Sequence, residues 1–273
     1  MSYCFADKSY DDYFENITFE HTSMLHVLQK RAHIAALELK RVLCKHKLNV
    51  VTQESLTSGL IASTLTDVPG MGQFIYGGMV VYDTDAKRYW LNVTTPGVYS
   101  RQTARQMAEG GLKNSRAMVA IAVTGNAMVT PEHLNDEGVV DIGVSFRTSS
   151  KFKTVTKRYK FCDDRDFKDL CAEWKSYVRK VNGKWQYPPI HKTQVIAKAI
   201  RLATVEKALM MAVDHIQKFQ NELGEDVLRK TAYDGLYLGC NEPSDVIFKH
   251  LSVSDQSTLN RQWGGDCPEG SME

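Results

Sequence analysis

Two hydroxyls, Ser55 and Thr57, stand between the short apolar run Asn49–Thr52 and a helix-forming stretch that begins near Ser58. In that position a helix N-cap worth about 1 kcal/mol is the plainest reading of either residue. Lys87 follows Asp83 by one helical turn, a spacing that ordinarily gives a solvated ion pair of about 0.3–0.5 kcal/mol. More chemistry is available if Lys87 is buried. Amide hydrolysis needs a nucleophile, a base for its proton and donors for the oxyanion. A serine and a neutral lysine supply the first two, provided that burial or nearby positive charge lowers the lysine pKa. Thr124-Gly125 closes the apolar run Met118–Val123 with turn chemistry. Arg165 lies among Asp163, Asp164 and Asp166 and reads first as a surface ion-pair cluster. Those aspartates lack the D-x-D-x-D-G order and later glutamate of a calcium loop. The 8 histidines contain no H-E-x-x-H, and the 6 cysteines contain no C-x-x-C. Neither a metal nor any other cofactor is expected.

A second constellation is basic and aromatic. Lys151, Lys153, Lys157, Arg158 and Lys160 crowd a strand with Phe152 and Tyr159. Further on, Lys175, Arg179, Lys180, Lys184 and Lys192 interleave with Trp174, Tyr177, Trp185 and Tyr187. Such stripes can hold single-stranded nucleic acid through phosphate contacts and stacking. They equally describe a lysine-protected edge strand and an insertion packed on the core or on a partner. The second description is preferred, so nucleic acid is not the expected partner.

Composition sets the frame for these residues. The chain has 273 residues, 43% apolar and 24% charged, with a formal net charge of +2. That length buries a core without disulfides or a structural metal, and the charge excludes a strongly basic nucleic-acid binder. Irregular cysteine spacing predicts reduced thiols. No apolar run approaches a membrane span. Asp7, Asp11, Asp12 and Glu15 suit neither a signal peptide nor an Arg-rich transit peptide, so a cytoplasmic location is expected.

Periodicity then assigns the elements. Residues 1–21 form an extension. Apolar steps of three and four predict a helix over Thr22–Lys47. A strand at Asn49–Thr52, a helix at Ser58–Thr66, a strand at Gly77–Tyr82 and a helix at Asp85–Leu91 follow. Ser100 caps a helix over Arg101–Asn114. Met118–Val123 suits a buried central strand, and Val139–Phe146 with Phe152–Phe161 a hairpin pair. Asp166–Lys180 is helical, Val181–His191 is broken by Gly183, Pro188 and Pro189, and Thr193–Phe219 is a long helix. The fold class is α/β: a three-layer α/β/α domain over 22–219 around a mixed sheet, with an N-terminal helix. Residues 220–273 form a C-terminal appendage expected to be partly disordered.

The junction Gln53-Glu54-Ser55-Leu56-Thr57-Ser58-Gly59 resembles the A-E-S-x-T-G-G signature of the CinA C-terminal domain family, whose members act as nicotinamide-nucleotide amidases. Further segments resemble that family in the same order. They are Thr66-Asp67-Val68-Pro69-Gly70, then Gly78 to Lys87 against G-x-V-x-Y-S-x-x-A-K, then Val98-Tyr99-Ser100 through Ala104, Met107, Ala108, Glu109 and Gly110. Val123-Thr124-Gly125 and Phe161 with Asp164-Arg165 complete the set. The resemblance spans most of Thr22–Arg165 and resumes over Ile200–Ile216, leaving an insertion at about 168–197. It implies a Ser/Lys amidase with Ser55, Lys87 and Tyr82 at the catalytic centre. Thr57, Gly59, Gly72, Thr124, Gly125, Ala127 and Arg165 would then bind a nucleotide similar to nicotinamide mononucleotide. It also implies a homo-oligomer.

Departures from the family pattern keep a second reading open. Met71 and Gly72 replace the two serines of the family turn, one of which the resemblance gives as the preferred nucleophile, so the attacking group is lost unless Ser55 takes over. Asn126-Ala127-Met128-Val129-Thr130-Pro131 replaces a glycine run whose bare backbone can approach a ligand closely. The chain is therefore either an amidase, with reduced or altered activity, or a catalytically inactive scaffold or nucleotide sensor. The amidase reading is the better label for the pocket.

Overall fold

The computed structural model describes residues 19–127, 138–148, 151–165, 167–186 and 190–219, and the expectations for 1–18, for Met128–Pro131 and for the appendage 220–273 lie outside them. Helix α1 (Phe19–His46) turns Leu28, Ala32, Ala35, Leu39, Val42 and Leu43 inward and ends on Lys45 and His46, as its apolar period dictates. It leads into strand β1 (Val50–Glu54), every residue of which is buried. Helix α2 (Leu60–Thr66) and a 3-10 turn (Met71–Gln73) then return the chain to strand β2 (Ile75–Val80).

Helix α3 (Thr84–Leu91) is followed by α4 (Arg101–Lys113), where the Ser100 hydroxyl accepts from the Thr103 N–H as expected of an N-cap. Strand β3 (Val119–Gly125) is wholly buried, and β4 (Val139–Arg147) nearly so. Their continuous apolar content suits strands covered on both faces. Strand β5 (Phe152–Lys160) forms the edge, and a 3-10 turn (Phe161–Asp163) leaves it. Beyond lie helix α5 (Lys168–Tyr177), short strands β6 (Arg179–Val181) and β7 (Lys184–Gln186), and the long helix α6 (Ile190–Phe219).

The sheet has 5 strands in the order β2-β1-β3-β4-β5. β1 runs parallel to both β2 and β3, while β4 and β5 are antiparallel, so the sheet is mixed as expected. Helices α1 and α6 pack together, with α2 against them, and α4 lies on β3 and β4 with α3 beside it. On the α4 side, Val51, Ala120 and Ala122 meet Met107, Ala108, Leu112, Leu91 and Val93. Arg147, at the end of β4, pins the far end of α4 by donating to the carbonyls of Leu112, Ser115 and Ala117.

The structure corrects two expectations. The broken stretch after residue 180 contains an antiparallel hairpin, β6–β7, and its turn residues Asn182 and Gly183 have φ of 51° and 78°. Asn-Gly is the dipeptide that such a two-residue turn favours, and the prolines nearby masked its signal. The thiols are not all reduced. Cys162 and Cys171 form a disulfide with Cα atoms 5.5 Å apart. The 3-10 turn after β5 folds Cys162 back onto the first turns of α5, a proximity that sequence spacing alone does not reveal. Among the described residues no helix is long and apolar enough to cross a membrane.

Candidate functional site

Ser55 continues β1 by one rung, its N–H donating to the Val123 carbonyl at 3.2 Å. Side chains alternate across a strand. Val51 packs toward α4 and Gln53 lies against Gly111 of that helix, so Ser55 takes the same face. Glu54 takes the other face. Its carboxylate accepts the N–H groups of Ile61 and Ala62, both at 2.9 Å, and the hydroxyls of Thr57 at 2.8 Å and Thr52 at 3.1 Å. Neither Ser55 nor Thr57 caps α2, contrary to the plainest sequence reading. The N-cap is Gly59 at φ 93°, and the buried Glu54 carboxylate satisfies the first helical N–H groups instead. Thr57 commits its proton to that carboxylate.

Lys87 is fully buried, at 1% exposure. It shares the inward stripe of α3 with Leu91, which joins the cluster under α4. Its ammonium donates to the Tyr82 carbonyl at 2.7 Å. The expected solvated pair with Asp83 does not form. Asp83 accepts from the Asp85 N–H at 2.7 Å and caps α3, leaving its charge near Lys87 without an ion pair. Burial pushes the Lys87 pKa down, and Asp83 opposes this only in part. Tyr82, whose carbonyl receives this amine, is 62% exposed. Because the Val81 N–H donates to the Glu54 carbonyl, Tyr82 and Lys87 lie at the same end of the sheet as Ser55.

Thr124 is the neighbour of Ser55 across the β1–β3 ladder, and its hydroxyl donates to the Val98 carbonyl at 2.6 Å. Register pairs Thr124 with Asp141, and Asp141 with Arg158. Asp141 is completely buried and accepts from Arg158 at 2.9 and 2.7 Å, while Arg158 also reaches the Tyr99 carbonyl. Thr124 and Arg158 thus tie the 94–100 segment down over the strand ends. Gly125 must be glycine, since a Cβ there would overlap the Val139 carbonyl and approach the Val140 Cα to 2.7 Å. Ala127 is buried just beyond it.

Two of the sequence candidates lie apart from this group. Gly72 sits in the turn before β2, and the Phe74 carbonyl receives the N–H of Val50, the first residue of β1. It is therefore at the opposite end of the parallel strands, about 16 Å away along β1 by strand rise alone. Met71 is buried in the core. Arg165 is exposed and follows β5 at the Ser55 end, three strands across from β1.

Sequence reasoning did not single out Gln53, Glu54, Asp141 or Arg158 as site-forming residues. A signal existed for the first two: a polar pair closing an otherwise apolar strand that is buried on both faces. Both side-chain atoms of Gln53 are buried without a partner, an orphaned amide directly behind Ser55 on the same face. The basic stripe of β5 is also largely spoken for. Arg158 serves Asp141, Lys153 lies 4.9 Å from the Phe219 ring centre, and Lys157 lies 4.9 Å from that of Tyr159.

Fold and strand-end group together define an α/β/α protein with a buried amine and a serine at the carboxyl ends of parallel strands. The chain belongs to the CinA C-terminal domain family, whose model matches residues 32–171. It is 44% identical over 95 residues to a CinA-like protein of Leptospira borgpetersenii, a match covering 33% of this chain and 23% of that one. A putative competence-damage inducible protein of Caldicellulosiruptor bescii is 36% identical over 130 residues, covering 45% and 31%. The match to these curated relatives thus spans only a quarter to a third of their length. Among solved structures, competence damage-inducible protein A (ComA) from Klebsiella pneumoniae superposes with a TM-score of 0.51 at 26% identity, covering 69% of this chain and 99% of that one.

Proposed function

We propose that this chain hydrolyses the carboxamide of a nucleotide of the nicotinamide mononucleotide kind, releasing the acid and ammonia. The buried Lys87 amine, lowered in pKa and hydrogen-bonded to a backbone carbonyl, is the observation that carries this reading. An amine whose pKa burial has lowered is a better general base than a solvated lysine, as burial tunes other catalytic lysines. In this scheme Lys87 takes the Ser55 proton and the hydroxyl oxygen attacks the carboxamide carbon. Lys87 returns the proton as ammonia leaves, and water then clears the acyl group from Ser55. Tyr82 is exposed and would supply a ring for a flat heterocycle, and the Thr124–Ala127 strand end would line the approach. Arg165 suits a phosphate through its planar fork. Ammonia release by the purified protein is the test, with Lys87→Ala as control. A rate lowered by about 10²–10⁴ in the variant is expected of a lost general base. Equal rates in both proteins would remove the proposal.

A second reading, a non-catalytic scaffold or sensor with the same fold, draws support from the turn. Met71 is buried in the core and Gly72 carries no hydroxyl. Binding of nicotinamide mononucleotide without any ammonia release would favour it.

A further inference from the structure

One rung of the sheet is polar across β1, β3, β4 and β5. Ser55 follows the Glu54–Val123 pair, which sets it beside Thr124; Thr124 then pairs with Asp141, and Asp141 with Arg158. Directly paired residues share a face of the sheet. That face is the one under α4, where Gly143, two residues beyond Asp141, has no room for a Cβ against the Ala104 carbonyl. The 94–100 segment is bonded to this rung at two points. Its Val98 carbonyl accepts from the Thr124 hydroxyl at 2.6 Å, on the strand next to Ser55, and its Tyr99 carbonyl accepts from Arg158 Nη2 at 3.2 Å. Asp141 is what steadies that arginine. It is completely buried, and its two oxygens take Nε and the same Nη2 at 2.9 and 2.7 Å. A guanidinium fork held on both carboxylate oxygens is already ordered when it reaches the carbonyl. A buried ion pair adds little net stability over apolar residues of similar volume, so this one serves position better than stability. Further along, the segment is tied to α4, where Gln106 accepts the N–H groups of Thr94 and Thr95, and Thr103 donates to the Gly97 carbonyl. Thr94, Pro96, Gly97 and Tyr99 are exposed, so burial fixes only part of the segment and these polar ties fix the rest.

We propose that Asp141 and Arg158 are positioning residues of the strand-end site, latching the Tyr99 end of the 94–100 segment so that it forms the wall against which the substrate lies beside Ser55. Neither residue touches the reacting atoms; both act through the Tyr99 carbonyl. The substrate's identity, a nucleotide of the nicotinamide mononucleotide kind, rests on the amidase reading, whereas the latch rests on the rung alone. With the latch broken, the wall moves away from the strand ends, and binding energy is lost without any change in the base or the attacking hydroxyl.

The test compares the full chain with its Arg158→Met, Asp141→Asn and double variants, by timed chymotrypsin cleavage with peptide mapping and by ammonia release from nicotinamide mononucleotide. The carbonyl that Arg158 holds is the one chymotrypsin attacks after Tyr99, so cleavage there should accelerate about tenfold in Arg158→Met. Cleavage after the buried Phe74 and Phe146 should stay at the wild-type rate, which certifies that the variant is folded. The double variant should match Arg158→Met, because both changes break one latch. KM should rise about tenfold with kcat held, the signature of binding lost equally from ground and transition states. If wild type releases no ammonia, the amidase reading falls, and the dissociation constant of nicotinamide mononucleotide is expected to show the same rise. Arg158→Met alone decides the result if Asp141→Asn does not fold. Cleavage after Tyr99 at the wild-type rate, faster cleavage with KM and dissociation constant unaltered, or a wild type that neither hydrolyses nor binds the nucleotide would overturn the proposal.

Discussion

Lys87 donates its ammonium to the Tyr82 carbonyl at 2.7 Å from a position where almost no surface is exposed. A carbonyl dipole offsets only part of what the charge loses on leaving water, and this is why the amine titrates below its ordinary value of 10.5. Stability and chemistry at this residue therefore pull in opposite directions, as they do at many functional sites.

Lys87→Met should raise stability at neutral pH. Wild type carries the charged amine less readily when folded than when unfolded, so the unfolded state binds the extra proton. Its stability rises as pH climbs through the depressed folded value toward 10.5, and the advantage of the methionine variant shrinks over the same range. Denaturant melts of both proteins across pH 6 to 10 measure it. A variant less stable than wild type at every pH would contradict the account.

Glu54 holds the start of α2 and the Ser55 turn through four donors to one carboxylate. Glu54→Gln keeps the shape but turns one acceptor into a donor facing N–H groups and hydroxyls. A loss of about 2 kcal/mol is expected, on the scale of an unsatisfied buried group. Equilibrium unfolding reads it directly, and a change below about 0.5 kcal/mol would assign the cap elsewhere.

His215 is buried on α6 between Phe146 and Phe219, its Nε2 against the Lys153 carbonyl and its Nδ1 without a partner. Burial lowers its pKa first of all; Lys218 and Lys153 add to this, and only the backbone carbonyl opposes it. Below pH 6.5 the unfolded state takes up a proton that the folded state resists, so stability falls as pH drops from 6.5 through the lowered folded value. His215→Phe should flatten that acid limb in thermal melts at pH 5 to 7. An unchanged slope would mean that other groups cause the acid loss.

Much of the fold is legible in the chain because its elements are strongly patterned. The apolar steps of α1, the capping Ser100 and the unbroken run before Gly125 each permit one local structure. The strand-end group is legible only in part. Burial of Lys87 depends on α3 lying against α4, and i,i+4 spacing to Asp83 suggested the opposite environment. The role of Glu54 depends on a chain reversal at Ser58 and Gly59, where two successive residues take positive φ. Gly72 seemed to belong with Ser55 because linear motifs carry no record of which end of a strand they occupy. The Cys162–Cys171 bridge needs the turn after β5, which no periodicity announces.

The protonation state of one amine decides most of this. Carbon-13 labelling at lysine Cε, with NMR titration of wild type and Lys87→Met, reports it residue by residue. One resonance titrating clearly below all other lysines, and missing from the variant, is the predicted result. A set of lysines that all titrate near 10.5, with none lost from the low end in the variant, would contradict a lowered amine at position 87.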